Sequence, residues 1–253
     1  MREKVTLKNQ MVFEDLMELK KSVGNDFLFP VQDPKARNLV PSDPYAFCIA
    51  SCLDRGTRAE IICTIPYWIS LLTGHLNPAI FNKMPLSEIK EIFAKLPRKP
   101  RFINAAPRTF QSITRLVIEE FDGNPRSIWE GKKASEVKET FLSVYGVGNG
   151  IANMILILIE DAYGVSFSDL DHAIMDIKPD VHTMRVLYRL GISLKIDEES
   201  AIEAARRVSP EYPGAIDGPL WYLGRTHCHA DRPGCGMCEM NQVCQKVGVE
   251  DLN

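Results

Sequence analysis

Apolar residues recur along this chain with the three- and four-residue spacing that places them on one face of a helix. The first segment of this kind contains Val12, Phe13, Leu16 and Leu19. The same spacing predicts further helices over residues 45–53, 61–72, 86–96, 109–120, 134–144, 151–159, 181–190 and 198–208. Long stretches of strictly alternating apolar and polar residues do not occur in the sequence. The pattern therefore predicts a mainly α fold.

A proline-rich segment follows the first predicted helix. Residues 27–44, FLFPVQDPKARNLVPSDP, contain four prolines. Proline lacks a backbone N–H and clashes with the preceding helical turn, so it interrupts helices. An extended connector is therefore predicted between the first helix and the helix that begins after Pro44.

Composition and charge limit the possible classes of protein. The 253 residues are 45% hydrophobic and 25% charged, which is typical of one large globular domain or two moderate ones. We find neither a secretory signal nor an apolar stretch of membrane-spanning length, which predicts a cytoplasmic location and no membrane partner. Because the net charge is −3, any nucleic-acid site must be a local cluster of basic residues. The basic residues of one candidate run are Lys95, Arg98, Lys99, Arg101, Arg108 and Arg115. A solvated charged face explains this run equally well.

Four of the seven cysteines lie within the 17 residues from Cys228 to Cys244, with the spacing C-x6-C-x2-C-x5-C. A loop this short cannot bury a core of its own, and without a secretory signal a metal is favoured over disulfides. Zinc sites usually combine two separated C-x2-C pairs, whereas one pair with a single cysteine on each side favours an iron-sulfur cluster. Zinc and a cluster are thus the two candidates. Cys48 and Cys52 lie one helical turn apart and are predicted to belong to the core.

A short glycine-containing turn, YGVG at residues 145–148, joins the predicted helices over 134–144 and 151–159. The two glycines, Gly146 and Gly148, allow positive φ and leave no side chain to hold another backbone away. The N–H groups that open the second helix would point outward at the positive end of its dipole, an arrangement that binds phosphate. An ordinary tight turn between two helices explains the pattern at least as often.

Asp180 stands directly before the helix that is predicted to start at Val181 and to end before Gly191. In this N-cap position its carboxylate would accept hydrogen bonds from the first N–H groups, which is worth about 1 kcal/mol. Periodicity alone does not separate this structural role from a chemical one.

Four stretches of the chain together resemble the helix-hairpin-helix DNA glycosylase superfamily, in particular its endonuclease III-like branch with an iron-sulfur cluster. They are LDRGT, VYGVGNGIAN, DVHTMRV, and WYLGRTHC with the cysteine loop, and they span residues 44–244. The resemblance implies a six-helix barrel domain over residues 44–164, with the helix-hairpin-helix at about 134–160. It also implies a helical cluster domain formed by residues 1–43 and 165–253, with duplex DNA across the cleft between the two domains.

The resemblance further implies a four-iron four-sulfur cluster and a set of residues that contact DNA. The cluster ligands would be Cys228, Cys235, Cys238 and Cys244. The DNA-binding residues would be Gly146, Val147, Gly148, Gly150 and Arg55. Members flip the target nucleotide out of the duplex while a side chain fills the gap. Arg55 stands where endonuclease III-like proteins carry a gap-filling glutamine, and a plain phosphate contact explains it nearly as well.

The reaction class that the resemblance implies depends on two positions. Asp180 matches the family's catalytic aspartate through D-x-H-x-x-R-V, and a carboxylate there can stabilise positive charge on the sugar or activate water. Bifunctional members form a Schiff base with a lysine just after the hairpin, and Gly150 occupies that position. We therefore predict a monofunctional glycosylase that removes a damaged or mispaired base from double-stranded DNA, acting as a monomer associated with the nucleoid. One alternative is a bifunctional enzyme with another lysine, such as Lys178, and the other is a DNA-structure-binding protein without catalysis.

The interval between hairpin and aspartate, residues 165–179, is longer than usual for the family. Its polar and aromatic residues include Phe167, Asp169, Asp171, His172 and Asp176. They would form either a specificity loop over the flipped base or a surface excursion. Ser51 stands where adenine glycosylases of the superfamily carry an acid, which disfavours adenine as the substrate. A mismatched or deaminated pyrimidine, an alkylated purine and an oxidised base are the remaining classes.

Overall fold

The computed structural model describes residues 2–24, 28–31, 33–167, 169, 172 and 175–249. Within these ranges the regular structure is helical, which confirms the predicted mainly α fold. The α-helices are α1 (Arg2–Val23), α2 (Pro34–Arg37), α3 (Leu39–Ser42), α4 (Pro44–Leu53), α5 (Ala59–Ile62), α6 (Ile65–Thr73), α7 (Pro78–Phe81), α8 (Leu86–Lys95), α9 (Ala106–Glu119), α10 (Ala134–Leu142), α11 (Asn149–Tyr163), α12 (Val181–Arg189), α13 (Glu198–Val208) and α14 (Asp217–Thr226). Short 3-10 segments lie at Pro125–Ile128, Pro213–Ile216, Cys235–Met237 and Glu239–Gln242. No helix of the described ranges is both long enough and apolar enough to cross a bilayer.

The chain divides into two compact units. The terminal unit combines Met1–Phe27 with Asp171–Asn253, and the central unit is Leu28–Leu170. Both chain ends thus contribute to one unit, with the other unit formed from the middle of the chain. The predicted functional domains, 44–164 against 1–43 with 165–253, stay a prediction.

Helix α4 forms the centre of the central unit. Every residue from Tyr45 to Leu53 is buried, because the helix is apolar on all sides and other helices surround it. The Phe47 ring meets the rings of Trp129 and Tyr163 with centroids 5.7 and 5.1 Å apart. Cys48 and Cys52, on the same helix, are at most 1% exposed, so their predicted place in the core is confirmed.

The extended connector predicted between α1 and α4 is wrong for most of its described residues. The structure forms two short helices there, α2 and α3. Pro34 occupies the first turn of α2, where the missing N–H has no helical partner to lose, and Asp33 caps the helix. The helix predicted over 61–72 is likewise divided into α5 and α6, with Pro66 in the first turn of α6. In both places a proline lies in the first turn of a helix.

The terminal unit is built from α1 and the three C-terminal helices α12, α13 and α14. The face of α1 that was predicted from Val12, Leu16 and Leu19 is buried, with each side chain at most 3% exposed. Two helices of this unit approach each other closely at Gly224 of α14. A Cβ atom at this position would lie 2.5 Å from the Cβ of His182 on α12, so any side chain would force these helices apart.

Candidate active site and DNA interface

The turn between α10 and α11 needs glycine at only one of its two positions. Gly146 has a φ of +87°, and a Cβ there would lie 3.2 Å from Thr109 Oγ1 and 3.4 Å from Arg55 Nη1. Gly148 has a φ of −111°, which any residue adopts, so the expected positive φ is confirmed at Gly146 and wrong at Gly148. The turn therefore requires a glycine at position 146, whereas the backbone conformation at Gly148 does not require one.

Gly148 is the N-cap of α11, and the space beside it is open. A Cβ at this position would meet no heavy atom within 4 Å. The first N–H groups of an α-helix have no acceptor within the helix, and they carry the positive end of its dipole. Gly148 has no side chain to cap them, and Gly150 follows in the first turn. The start of α11 thus leaves room for an external acceptor such as a phosphate.

Substituting Gly148 tests this interpretation, because stability and binding should change in opposite directions. Asp is a better N-cap than Gly and complements the helix dipole, so Gly148→Asp should keep or raise the melting temperature. The same carboxylate would occupy the N–H groups and repel a phosphate, so affinity for duplex DNA should fall by roughly tenfold or more. Thermal unfolding and fluorescence anisotropy with a labelled duplex measure the two effects.

Gly148→Asn is the matched control, since it adds the same bulk and caps equally well without the charge. It should weaken binding less than Gly148→Asp does. Wild-type affinity in the Asp variant would contradict a phosphate contact at the start of α11.

Arginines and exposed aromatic rings lie side by side next to this turn. Arg55 Cζ lies 4.8 Å from the ring centroid of Phe102, and Arg108 Cζ lies 4.1 Å from that of Tyr145. Phe102 is 41% exposed and Tyr145 is 40% exposed, so both rings are open to solvent. Arg101 completes the group, with its Cζ 5.7 Å from the Phe102 ring. We call these five residues the arginine–aromatic face.

Two hydrogen bonds connect the segments that carry this face. Arg101 N donates to Thr57 Oγ1 over 2.7 Å, which ties the loop after α4 to the loop before α9. Tyr145 N donates to Ser112 Oγ over 3.0 Å, which ties the hairpin turn to α9. Arg101 and Arg108 belong to the basic run between Lys95 and Arg115 that is a candidate nucleic-acid site in the sequence. Phe102 and Tyr145 were not recognised as part of it, although each is adjacent to a candidate residue in the sequence.

Asp180 caps α12, as its position in the sequence predicts. Its Oδ1 accepts from the N–H groups of His182 at 2.7 Å and Thr183 at 2.9 Å, and its own N–H donates to Thr183 Oγ1. These bonds fix the carboxylate, and Oδ2 takes no part in the cap. The side chain is partly exposed rather than enclosed in the core. Capping and chemistry are therefore compatible for this residue.

The other residues of the D-x-H-x-x-R motif hold α12 against the segment that leads into the cysteine loop. His182 Nδ1 lies 3.0 Å from Gly224 O. Arg185 donates from Nη2 to Gly224 O at 2.8 Å and from Nε to Cys228 O at 2.7 Å. The motif thus links the Asp180 end of α12 directly to the first cysteine of the loop.

The four cysteines come together within the terminal unit. The residues that line one small cavity are Arg189, His227, Cys228, Cys235, Cys238, Asn241, Cys244, Lys246 and Val249. Burial raises the pKa of Cys238 to about 11 and also raises the pKa of Cys244, with a further contribution from neighbouring thiols. Thiols that are buried close together ionise only beside a positive charge. A metal centre with thiolate ligands supplies that charge. This donor set fits the cluster that the resemblance implies.

Arg189 reaches the same cavity and holds the loop around it. Its Nη1 lies 3.5 Å from Cys228 Sγ, and its Nη2 donates to Ala230 O at 2.7 Å. Cys244 Sγ in turn lies 3.3 Å from Arg189 O. The side-chain carbonyl oxygen of Asn241 is buried and has no hydrogen-bond partner in the described structure. Among the described residues, no three His, Cys, Asp or Glu side chains converge closely enough to hold a single metal ion.

The described residues of the 165–179 interval have structural contacts of their own. Asp169 accepts from Ala134 N at 2.8 Å, at the start of α10. Asp176 forms a two-bond ion pair with Arg206, with distances of 2.8 and 2.7 Å. The His172 ring lies 4.2 Å from the Tyr212 ring. Asp171 lies outside the described residues, and the role of the interval in specificity stays a prediction.

Known proteins resemble this chain in both sequence and fold. An endonuclease III of Bacillus subtilis (strain 168) is 24% identical over 216 residues, which cover 84% of this chain and 86% of that protein. An endonuclease III of Thermotoga maritima is 24% identical over 210 residues, covering 83% and 86%. No family model matches the chain.

Solved structures give the same result for the fold. A non-covalent endonuclease III–DNA complex matches with a TM-score of 0.64 and 19% identity, over 97% of this chain and 99% of that chain. A thermostable thymine-DNA glycosylase matches with a TM-score of 0.61 and 18% identity, over 94% and 96%. Relatives and fold agree on one class, the helix-hairpin-helix DNA glycosylases, which are enzymes acting on N-glycosyl bonds. The relatives named endonuclease III support the resemblance to the endonuclease III-like branch that the motifs indicate.

Proposed function

We propose that this protein is a monofunctional DNA glycosylase of base excision repair. It hydrolyses the N-glycosidic bond of a damaged or mispaired base that has been flipped out of duplex DNA. The observation that carries the proposal is the carboxylate of Asp180, which is fixed through Oδ1 at the start of α12 and keeps Oδ2 outside the cap. Its relatives are named endonuclease III, and solved structures with the same fold include an endonuclease III on DNA and a thymine-DNA glycosylase.

Binding of the duplex is assigned to the central unit. The open N–H groups at Gly148 and Gly150 suit a backbone phosphate, because the helix dipole adds to their hydrogen bonds. The arginine–aromatic face adds positive charge and flat apolar surface, which contact phosphates and unstacked bases respectively. Arg55 is assigned to the gap left by the flipped nucleotide, next to the hairpin turn. A net charge of −3 is compatible with this function, since the positive charge needed is local.

The proposed reaction is a hydrolysis with Asp180 beside the sugar. The C1′–N bond breaks with its electron pair leaving on the base, and positive charge develops on the sugar. The negative carboxylate of Asp180 stabilises that charge electrostatically. It also accepts the proton of the water whose oxygen bonds to C1′, and the departing base takes up a proton. The products are a free base and an abasic site in an intact strand.

The cysteine loop is assigned a four-iron four-sulfur cluster, which members of the endonuclease III family usually carry. Cys228, Cys235, Cys238 and Cys244 would hold it through their thiolates. The cluster would cross-link a loop that has little core of its own, as a structural metal does. Arg185 and Arg189 connect this loop to α12, so a closed loop also keeps the helix that starts at Asp180 in place.

The proposal predicts that the protein does not form a covalent intermediate with the sugar. Gly150 offers no amine where bifunctional members carry lysine, so no Schiff base should form there. Incubating the protein with a duplex that contains an abasic site and with borohydride should therefore yield no covalent protein–DNA band on a denaturing gel. A bifunctional member of the family serves as the positive control.

A borohydride-dependent band would contradict the monofunctional assignment. It would favour the second candidate, a glycosylase with lyase activity. One observation supports this candidate. Lys178 lies two residues before Asp180, and its backbone N–H is fixed by Asp217 Oδ1 at 2.8 Å. Loss of the band in a Lys178→Ala variant would then identify the nucleophile.

The proposed setting is the nucleoid in the cytoplasm, with the protein acting as a monomer.

A further inference from the structure

The central unit contains a cavity that the proposed function does not use. Its volume is about 460 Å³, within the range of roughly 300–1,000 Å³ that is usual for sites that bind small molecules. The residues that line it are Asp33, Arg58, Glu60, Thr64, Trp68, Pro97 and Arg98. The cavity is therefore large enough for a small organic molecule that carries more than one functional group.

Two arginines line the cavity without protein partners for their charge. Arg58 directly precedes α5, Arg98 lies between α8 and α9, and both residues are exposed. Within the described part of the chain, neither guanidinium group forms a hydrogen bond or an ion pair. A guanidinium group carries five N–H donors in a planar fork that matches the oxygens of a phosphate. Two such groups on one cavity favour an anionic ligand with a phosphate group.

Acceptor oxygens line the same cavity. Asp33 caps α2 by accepting from Lys35 N at 2.8 Å through Oδ1, and its Oδ2 takes no part in that bond. Thr64 Oγ1 donates to Ile61 O at 2.8 Å, which uses its proton and leaves the oxygen able to accept. These oxygens suit the hydroxyl groups of a sugar and the N–H groups of a heterocyclic ring.

Trp68 supplies a flat apolar surface. The residue is partly exposed, and the ring of Tyr67 packs against its indole with centroids 5.5 Å apart and planes at 62°. This contact limits the rotation of the indole. An aromatic base that stacks on such a ring gains roughly tenfold or more in affinity. The lining thus offers a partner for each part of a nucleotide, namely its base, its sugar and its phosphate.

We propose that this cavity binds a free mononucleotide, with the base on Trp68, the phosphate on Arg58 and Arg98, and the sugar hydroxyls on Asp33. The proposal goes beyond the proposed function, whose catalytic carboxylate belongs to the terminal unit, and does not depend on it. The same chemical groups occur in a nucleotide that is part of a DNA strand. The test separates these two sources.

The test compares the parts of the ligand on the intact protein. Isothermal titration calorimetry gives the Kd of the 5′-monophosphates of adenosine, guanosine, cytidine and uridine, of the four nucleosides, and of inorganic phosphate. At least one monophosphate should bind roughly tenfold or more tightly than its nucleoside, because the nucleoside lacks the charge-assisted contacts of the phosphate. It should exceed inorganic phosphate by a similar factor, because inorganic phosphate has no base to stack.

Four variants assign the binding to this cavity. Arg58→Gln and Arg98→Gln change exposed residues, so each should weaken binding of the monophosphate by roughly tenfold without changing the melting temperature of the free protein. Arg115→Gln is the matched control, since Arg115 is exposed on α9 and does not line the cavity, and it should retain the wild-type Kd. Tryptophan fluorescence should change on binding, and Trp68→Phe should lose that change while its ring still stacks.

Several outcomes would overturn the proposal. Equal affinity for inorganic phosphate and the monophosphates would make the cavity an anion site only. Wild-type affinity in Arg58→Gln and Arg98→Gln would place the nucleotide elsewhere on the protein. If the monophosphates do not bind but a short single-stranded oligonucleotide changes Trp68 fluorescence, the cavity belongs to the DNA interface. Base release is measured separately, so each of these results leaves the proposed function standing.

Discussion

Replacing Asp180 with asparagine is expected to slow base release by at least about a hundredfold while duplex binding and the fold persist. Asparagine ranks with aspartate as an N-cap, so its Oδ1 can still accept from the N–H groups of His182 and Thr183. The substitution removes the negative charge and one acceptor oxygen, and these are the features that a glycosidic hydrolysis needs. Single-turnover release of free base, anisotropy with the same duplex and thermal unfolding measure the three properties separately.

Asp197 provides a matched control for this substitution. It caps α13 in the same way, accepting from Ser200 N at 2.8 Å, and no chemical role is assigned to it. Asp197→Asn should therefore release base at the wild-type rate. Base release at the wild-type rate by Asp180→Asn would contradict the catalytic assignment. Joint loss of folding and binding in that variant would mean that Asp180 is only a structural cap.

Replacing Cys238 with serine is expected to remove the cluster and to destabilise the terminal unit. Freshly purified wild-type protein should show the broad visible absorbance of an iron-sulfur cluster at about 400 nm, and the variant should lack it. The cluster closes the loop from Cys228 to Cys244, and closing a loop of about 15 residues contributes roughly 3 kcal/mol when a disulfide does so. A loss of that order should appear as a clearly lower melting temperature.

Cys52→Ala is the control for removal of a thiol. Cys52 is buried in α4 of the central unit, away from the cysteine loop in the sequence, and its loss should leave the visible absorbance unchanged. A colourless wild-type protein that contains zinc would contradict the assignment of the cluster. So would a Cys238→Ser variant with the same absorbance as the wild type.

Features encoded by neighbouring residues could be predicted from the sequence. The N-cap at Asp180 follows from an aspartate directly before an amphipathic segment, and α12 begins where that pattern indicates. The buried face of α1 follows from the spacing of Val12, Leu16 and Leu19. The gathering of four cysteines likewise follows from their short separation in the chain. In each case the residues that determine the structure lie within 17 residues of each other in the chain.

Features that depend on distant residues could not be predicted in this way. The contact between Arg55 and Phe102 joins loops that are 47 residues apart in the sequence. Arg189 reaches Cys228 across 39 residues, and nothing in its helical pattern distinguishes it from a surface arginine. One cavity of the central unit combines Asp33, Trp68 and Arg98, each of which has an ordinary local role in the sequence. Tertiary packing creates these sites, so coordinates are needed to find them.

The proline errors have a simple physical cause. A proline prevents a helix from continuing through it, yet its fixed φ and missing N–H suit the first turn of a new helix. Pro34 takes that position where an extended connector was predicted, and Pro66 takes it where one continuous helix was predicted. A capping residue before the proline, such as Asp33, is the local signal that separates the two outcomes.

The central claim is that Asp180 drives hydrolysis of an N-glycosidic bond in duplex DNA. Its most direct test is chemical identification of the products from a panel of duplexes, each with one damaged or mispaired base. The protein should release at least one free base, leave the sugar–phosphate strand intact, and lose this activity in Asp180→Asn. Absence of free base from every duplex, despite binding to them, would contradict the account.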